Sequence, residues 1–133
     1  MDKILNIALQ VSGADIGSIM MLDKDKNELS ICASKGLSDE VIKKSRVKLG
    51  EGISGIAVQE NKVFLIDSNH EDNRIKKYLS RPQIRSSMVL PIKIQNSPSG
   101  VMNLGITETS QLKFNKDNVS SINELIELAS FAL

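Results

Sequence analysis

The chain has 133 residues and a net charge of +1, from 17 basic and 16 acidic residues. That length suits a single domain with one core, and 41% hydrophobic with 25% charged residues excludes a disordered chain. A near-zero charge, 3% aromatic content and no Trp leave neither the basic field nor the stacking platforms that a nucleic-acid partner requires.

Met1 to Asn6 has no basic region leading into an apolar run, so no signal peptide is read, and no stretch reaches the length of a membrane span. The expectation is a cytoplasmic chain with neither a membrane nor a nucleic-acid partner. Ile4, Leu5, Ala8, Leu9 and Val11 follow helical spacing and stop at Ser12-Gly13. Ile16 to Leu22 reads as a strand, the charged turn Asp23 to Asn27 follows, and Leu29 to Ser34 alternates as its antiparallel partner with one wet face. Cys32, the single cysteine, excludes an internal disulfide or a CxxC zinc site and suits a reducing compartment. Ser38 is a helix N-cap candidate before Val41 and Ile42.

Val47 to Asn61 contains Gly50, Gly52 and Gly55 in G-x-G-x-x-G spacing. As a dinucleotide fingerprint this needs a buried strand before it, a long helix after it and an acid about 20 residues on. The preceding Val41 to Lys48 is too charged for a buried parallel strand, and the following helix ends by Glu60-Asn61-Lys62. Glu71 and Asp72 match the acid spacing, but acids in a polar loop are a weak signal. The better reading is a sharp turn into a helix N-terminus with free N–H groups.

Val63 to Ile66 is a short buried strand, and 67–85 has loop character of a length typical of lids and binding loops. Ser87 to Ile94 is a strand in which Pro91 demands an edge or a bulge. Asn96 to Gly100 reads as a turn, and Val101 to Ile106 as the return strand. Asn115 is placed to cap a last helix with a stripe through Val119, Ile122, Ile126, Ala129 and Leu133, and a second stripe through Leu125, Leu128 and Ala132. This order predicts an α+β fold: a central antiparallel sheet of about five to six strands with helices at both ends.

Five segments, in order and with matching gaps, resemble the GAF domain, a small-molecule sensory module of bacterial signalling proteins. They are Ala14 to Asp23, Ala33-Ser34-Lys35-Gly36-Leu37, Leu49-Gly50-Glu51-Gly52-Ile53-Ser54-Gly55, Ile84 to Ile92, and Gly100-Val101-Met102-Asn103-Leu104. Phe114 to Asp117 matches the family's entry to its last helix only loosely.

The resemblance spans nearly the whole chain and implies a single GAF-like sensory domain over residues 1–133, of PAS-like architecture. It implies terminal helices on one sheet face and, on the other, a pocket roofed by the glycine-turn helix and the long loop. It also implies a homodimer through the terminal helices and an output domain, a kinase, cyclase or transcription factor, in the full-length protein. The candidate pocket residues for an unidentified small molecule are Gly52, Ile53, Ser54, Gly55, Asp67, Arg85, Ser86, Ser87 and Asn103. Arg85 beside Ser86 and Ser87 suits an anionic or polar ligand, or alternatively ties down the loop by pairing with Asp67 or Asp72. The candidate dimer stripe is Val119, Ile122, Ile126, Ala129 and Leu133.

No cofactor is expected. The cyclic-nucleotide pattern of the family has Lys after Asn, whereas Leu104 follows Asn103 here. A bilin needs a cysteine near a histidine, and Cys32 is remote from His70 in sequence. A lone loop histidine is more often solvated than a haem ligand. One cysteine cannot run the cycle of a methionine sulfoxide reductase, and there is no G-x-S-x-G turn to hold a nucleophile. The expectation is a regulatory domain rather than an enzyme, with a ligand-free dimerisation module as the alternative and cyclic-nucleotide or haem sensing as lesser ligand variants.

Overall fold

The computed structural model describes residues 1–66, 84–107 and 114–130, the side chains of residues 84 and 85 excepted. In chain order the elements are α1 (Asp2–Ser12), β1 (Ile16–Asp23), β2 (Glu28–Lys35), α2 (Asp39–Lys44), β3 (Arg46–Lys48), α3 (Gly52–Glu60), β4 (Phe64–Ile66), β5 (Ile84–Ile94), β6 (Ser97–Thr107) and α4 (Lys116–Ser130). The strands form one sheet in the order β3-β2-β1-β6-β5-β4, every neighbouring pair antiparallel. The expected α+β architecture is present, with six strands.

Local chemistry explains most boundaries. Gly13 closes α1 in the left-handed region and donates its N–H to the Leu9 carbonyl. The Ser38 hydroxyl accepts from the Val41 N–H at the start of α2. Asn115 and Asn118 cap α4 reciprocally, each side-chain oxygen accepting from the other's backbone N–H at 2.9–3.0 Å. The turn before β6 is shorter than Asn96 to Gly100. Gln95 and Asn96 both take positive φ, 53° and 62°, the signature of a two-residue I′ hairpin. Ser97 therefore already pairs with Ile94. Pro91 lies beyond the reach of β4, which pairs only with Ser87 to Val89. At Pro91 the strand is an edge, where a missing N–H costs nothing to the ladder.

Strand alternation sorts the core into two layers. Ile19, Met88, Leu90, Ile92, Met102, Leu104 and Ile106 pack against Leu5, Ala8 and Leu9 of α1 and Ile122 and Ile126 of α4. Met20, Leu29, Val89, Val101, Phe64 and Ile66 pack on the other face with Ile56, Ala57 and Val58 of α3. The first hairpin has no simple wet face: both sides of β1 are covered. A register shift between Ile19 and Met20 puts Ala33 in the helix layer and Leu29 in the α3 layer, which unbroken alternation could not do.

The two-stripe helix α4 is corrected in one respect. Ile122 and Ile126 are 0% and 6% exposed and belong to the chain's own core, with Val119 packed at its margin. Ala129 is half-buried beside Met1 and Ile4, and Leu133 lies outside the described residues. A side chain fully buried against its own sheet is unavailable to a second copy. Among the described residues of the two terminal helices, the exposed large apolar side chains are Ile7 (42%) and Val11 (53%) on α1 and Leu128 (71%) on α4.

Candidate functional site

The turn Leu49 to Gly55 is built by backbone bonds. The Glu51 N–H donates to the Lys48 carbonyl, the Gly50 N–H to the Gly55 carbonyl, and the Gly55 N–H to the Glu51 carbonyl. Gly50 and Gly52 both have positive φ, 83° and 62°, which is why glycine stands on each side of Glu51. These bonds consume the amides of Gly50, Glu51 and Gly55. They leave those of Gly52, Ile53 and Ser54 as first-turn donors without intrahelical acceptors. Glu51 supplies no side-chain cap.

The first turn of α3 rests on the centre of the sheet through a polar chain. The Ser54 hydroxyl donates to Asn103 Oδ1 at 3.0 Å, and Asn103 Nδ2 donates to Ser18 Oγ at 3.4 Å. Asn103 and Ser18 are register partners on β6 and β1, and Ser34 of β2 extends the same row. Ser87 shares the α3 face by alternation with Val89, one pleat along the sheet. The apolar cluster of Met20, Leu29, Val89 and Val101 with Ile56, Ala57 and Val58 shares this face. None of the three linked side chains ionises, so the chain of bonds is indifferent to pH.

Of the sequence candidates, Gly52, Ile53, Ser54, Gly55, Ser87 and Asn103 fall on this face. Ser86 does not. It alternates with Met88 and Leu90 into the helix layer, is 3% exposed, and its hydroxyl accepts from the Phe114 N–H at 3.4 Å. It anchors the approach to α4 instead of lining a pocket. Asp67 and the side chain of Arg85 lie outside the described residues, as do His70, Glu71 and Asp72.

Ser18 and Ser34 were missed as candidates. Each sits in a strand where a single serine reads as an ordinary half-buried position. The available signal was Ser18's place in an otherwise apolar run, a buried polar side chain needing a partner.

Cys32 belongs to the other side of the sheet, donating its thiol to the Ile19 carbonyl at 3.4 Å. Partial burial pushes its pKa up, against a smaller downward pull from the N-terminal ammonium. A raised pKa disfavours the thiolate that a nucleophile requires. Among the described residues no group of three His, Cys, Asp or Glu side chains could hold a metal ion. No described helix is long and apolar enough to cross a membrane.

Comparisons with known proteins agree with this architecture. The chain is similar to the GAF domain of an Acinetobacter phosphoenolpyruvate-protein phosphotransferase, at 21% identity and TM-score 0.71, covering 96% of this chain and 80% of that one. It is similar to the GAF domain of a two-component sensor histidine kinase from Bacillus halodurans, at 21% identity and TM-score 0.71, with 98% and 91% covered. It is also similar to a type II free methionine-R-sulfoxide reductase from Thermoplasma acidophilum, at 20% identity and TM-score 0.75, with 98% and 86% covered. At these identities the likeness speaks for the fold alone. A search of curated protein sequences found no match. The GAF domain family model matches residues 1–133, the whole chain, and the chain belongs to the GAF domain family.

Proposed function

We propose that this domain is a sensory module of a signal-transduction protein, binding a small molecule between α3 and the sheet and relaying its presence through α1 and α4. The observation that carries the reading is the polar chain Ser54–Asn103–Ser18, set beside the apolar cluster on the same sheet face. An apolar face needs no such chain for stability, because paired buried polar groups are at best a modest net gain over well-packed apolar ones. Beside it stand first-turn amides with no intrahelical acceptor and the hydroxyl of Ser87. The ligand expected there is small and polar, with groups that accept from backbone N–H and share hydrogen bonds with an amide side chain.

The same reading makes the domain regulatory rather than catalytic, cytoplasmic, and coupled to an output domain such as a kinase, cyclase or transcription factor. The raised pKa and remote placement of Cys32 support it against a reductase chemistry like that named for the Thermoplasma relative.

A thermal-shift screen of polar metabolites tests it. A ligand at one hundred times its Kd stabilises the fold by about 2.7 kcal/mol, and Asn103→Ala should abolish that shift. A screen that raises the melting point with no compound would sink the ligand reading.

A second reading is a ligand-free dimerisation module, favoured by the exposed Ile7, Val11 and Leu128 on the terminal helices. Both readings include a homodimer through that layer, so the screen separates them and sedimentation does not.

A further inference from the structure

We propose that the Ser54–Asn103–Ser18 chain is a latch, and that the first turn of α3 opens on it as a local motion separate from unfolding of the domain. Its use in sensing rests on the function proposed above; the motion itself is testable without any ligand.

Helix α3 is fastened unevenly. Its rear, Gly55 to Val58, is buried, with Ala57 and Val58 at 0% and 1% exposure, and the Lys62 N–H donates back to the Ala57 carbonyl at 3.0 Å. Its front, Gly52 to Ser54, is only half-buried and lacks a side-chain cap. Glycines of positive φ stand immediately before and after Glu51, a pair of positions able to absorb a change of backbone direction. The base of this hinge is pinned by the Glu51 and Gly50 amides, so the movable piece is bounded at Glu51.

Among the described residues, the side-chain hydrogen bond holding that front turn to the sheet is Ser54 to Asn103, and its continuation to Ser18 is long at 3.4 Å. Among the described residues, opening costs one part-buried hydrogen bond and the half-buried side chain of Ile53. The rest of the apolar layer stays in place. A group offering a donor to Asn103 Oδ1 would take the position of the Ser54 hydroxyl and hold the turn open. Removal of that group would let the latch re-form.

An open first turn frees the carbonyls of residues 52–54, which in an α-helix hold the amides of residues 56–58. Native-state amide exchange on the full chain reads this directly. Ser54→Ala should speed exchange at Ile56 to Val58 by about fivefold, the order expected for one lost hydrogen bond, with β5 and β6 amides unchanged. Asn103→Ala removes the same tie from the sheet side and should speed α3 beyond any change in β5 and β6. Ser99→Ala, which removes a buried hydroxyl bonded to the Ser97 carbonyl on β6, should leave the α3 rates alone.

Unchanged α3 rates in Ser54→Ala would overturn the latch, as would rates that rise equally in α3, β5 and β6. Fast local exchange together with a blank metabolite screen would retain the latch and remove the ligand reading. A ligand found with α3 rates insensitive to both variants would do the reverse.

Discussion

The α-carbon of Gly55 lies against the carbonyl oxygen of Lys48, so close that a Cβ built on Gly55 would fall inside any separation real Cβ atoms show. The same Cβ would come within 3.1 Å of the Gly50 nitrogen. Both neighbours are backbone atoms fixed by the turn's own hydrogen bonds, so neither can move aside cheaply. Gly55 is therefore required by close approach, whereas Gly50 and Gly52 are required by positive φ.

Gly55→Ala should destabilise the domain by about 2–4 kcal/mol, the range of overpacking at a rigid site, despite alanine's better helix propensity. Urea unfolding followed by circular dichroism checks this. A loss below 0.5 kcal/mol, on the order of a neutral surface substitution, would show that the turn relaxes.

Asn103→Ala should cost about 2 kcal/mol, because it leaves the buried Ser18 hydroxyl unpartnered and removes the Ser54 bond together. Ser54→Ala should cost less, about 1 kcal/mol, since Ser54 is half-exposed. The double variant should cost less than the sum, because the two changes delete one shared bond. Denaturation midpoints of the four proteins of this cycle provide the measurement.

Two positions on α4 should behave in opposite ways. Ile122→Ala should lower stability by about 2–4 kcal/mol, a core truncation, since Ile122 is fully buried. Leu128→Glu should leave the midpoint of the isolated fold nearly unchanged, because Leu128 is 71% exposed. It should instead convert a dimer to a monomer in sedimentation velocity, and Val11→Lys should do the same from α1. A dimer that survives both changes would rule out the terminal-helix layer as the interface.

Cys32, although exposed, should alkylate more slowly than free cysteine at neutral pH, with a higher apparent midpoint, because partial desolvation holds the thiol protonated. The folded chain keeps this proton at pH values where the unfolded chain has lost it. Cys32 therefore contributes a loss of stability as pH rises past the thiol's ordinary range, and no change below it. Iodoacetamide rates across alkaline pH, compared with a short cysteine peptide, are the check.

Periodicity carried most of the fold: the alternation in Ser87 to Ile94, the glycine after Ser12, and the cap candidates Ser38 and Asn115 each act in the structure as their residue types demand. Distance along the chain hid the rest. Ser54 and Asn103 were each identifiable as pocket candidates, but 49 residues separate them, and no local pattern encodes that they touch. Parity separated Ser86 from Ser87, and parity is invisible until one knows which face holds the helices. On α4, the core side chains Ile122 and Ile126 come from the candidate dimer stripe, because two adjacent apolar stripes do not encode which one the chain's own sheet takes. The bulge at Cys32 and Ala33 likewise reassigns faces without any glycine or proline to announce it.

Asn103 sits between Met102 and Leu104, which are 0% and 2% exposed in the opposite layer. One strand thickness is thus the whole wall separating the polar chain under α3 from the packing of α1 and α4. In a close-packed interior a backbone displacement cannot be absorbed by slack. A shift of β6 at Asn103 would press Met102 and Leu104 into the terminal helices with no intermediate mechanism, so this partition can work as a membrane does in a drum.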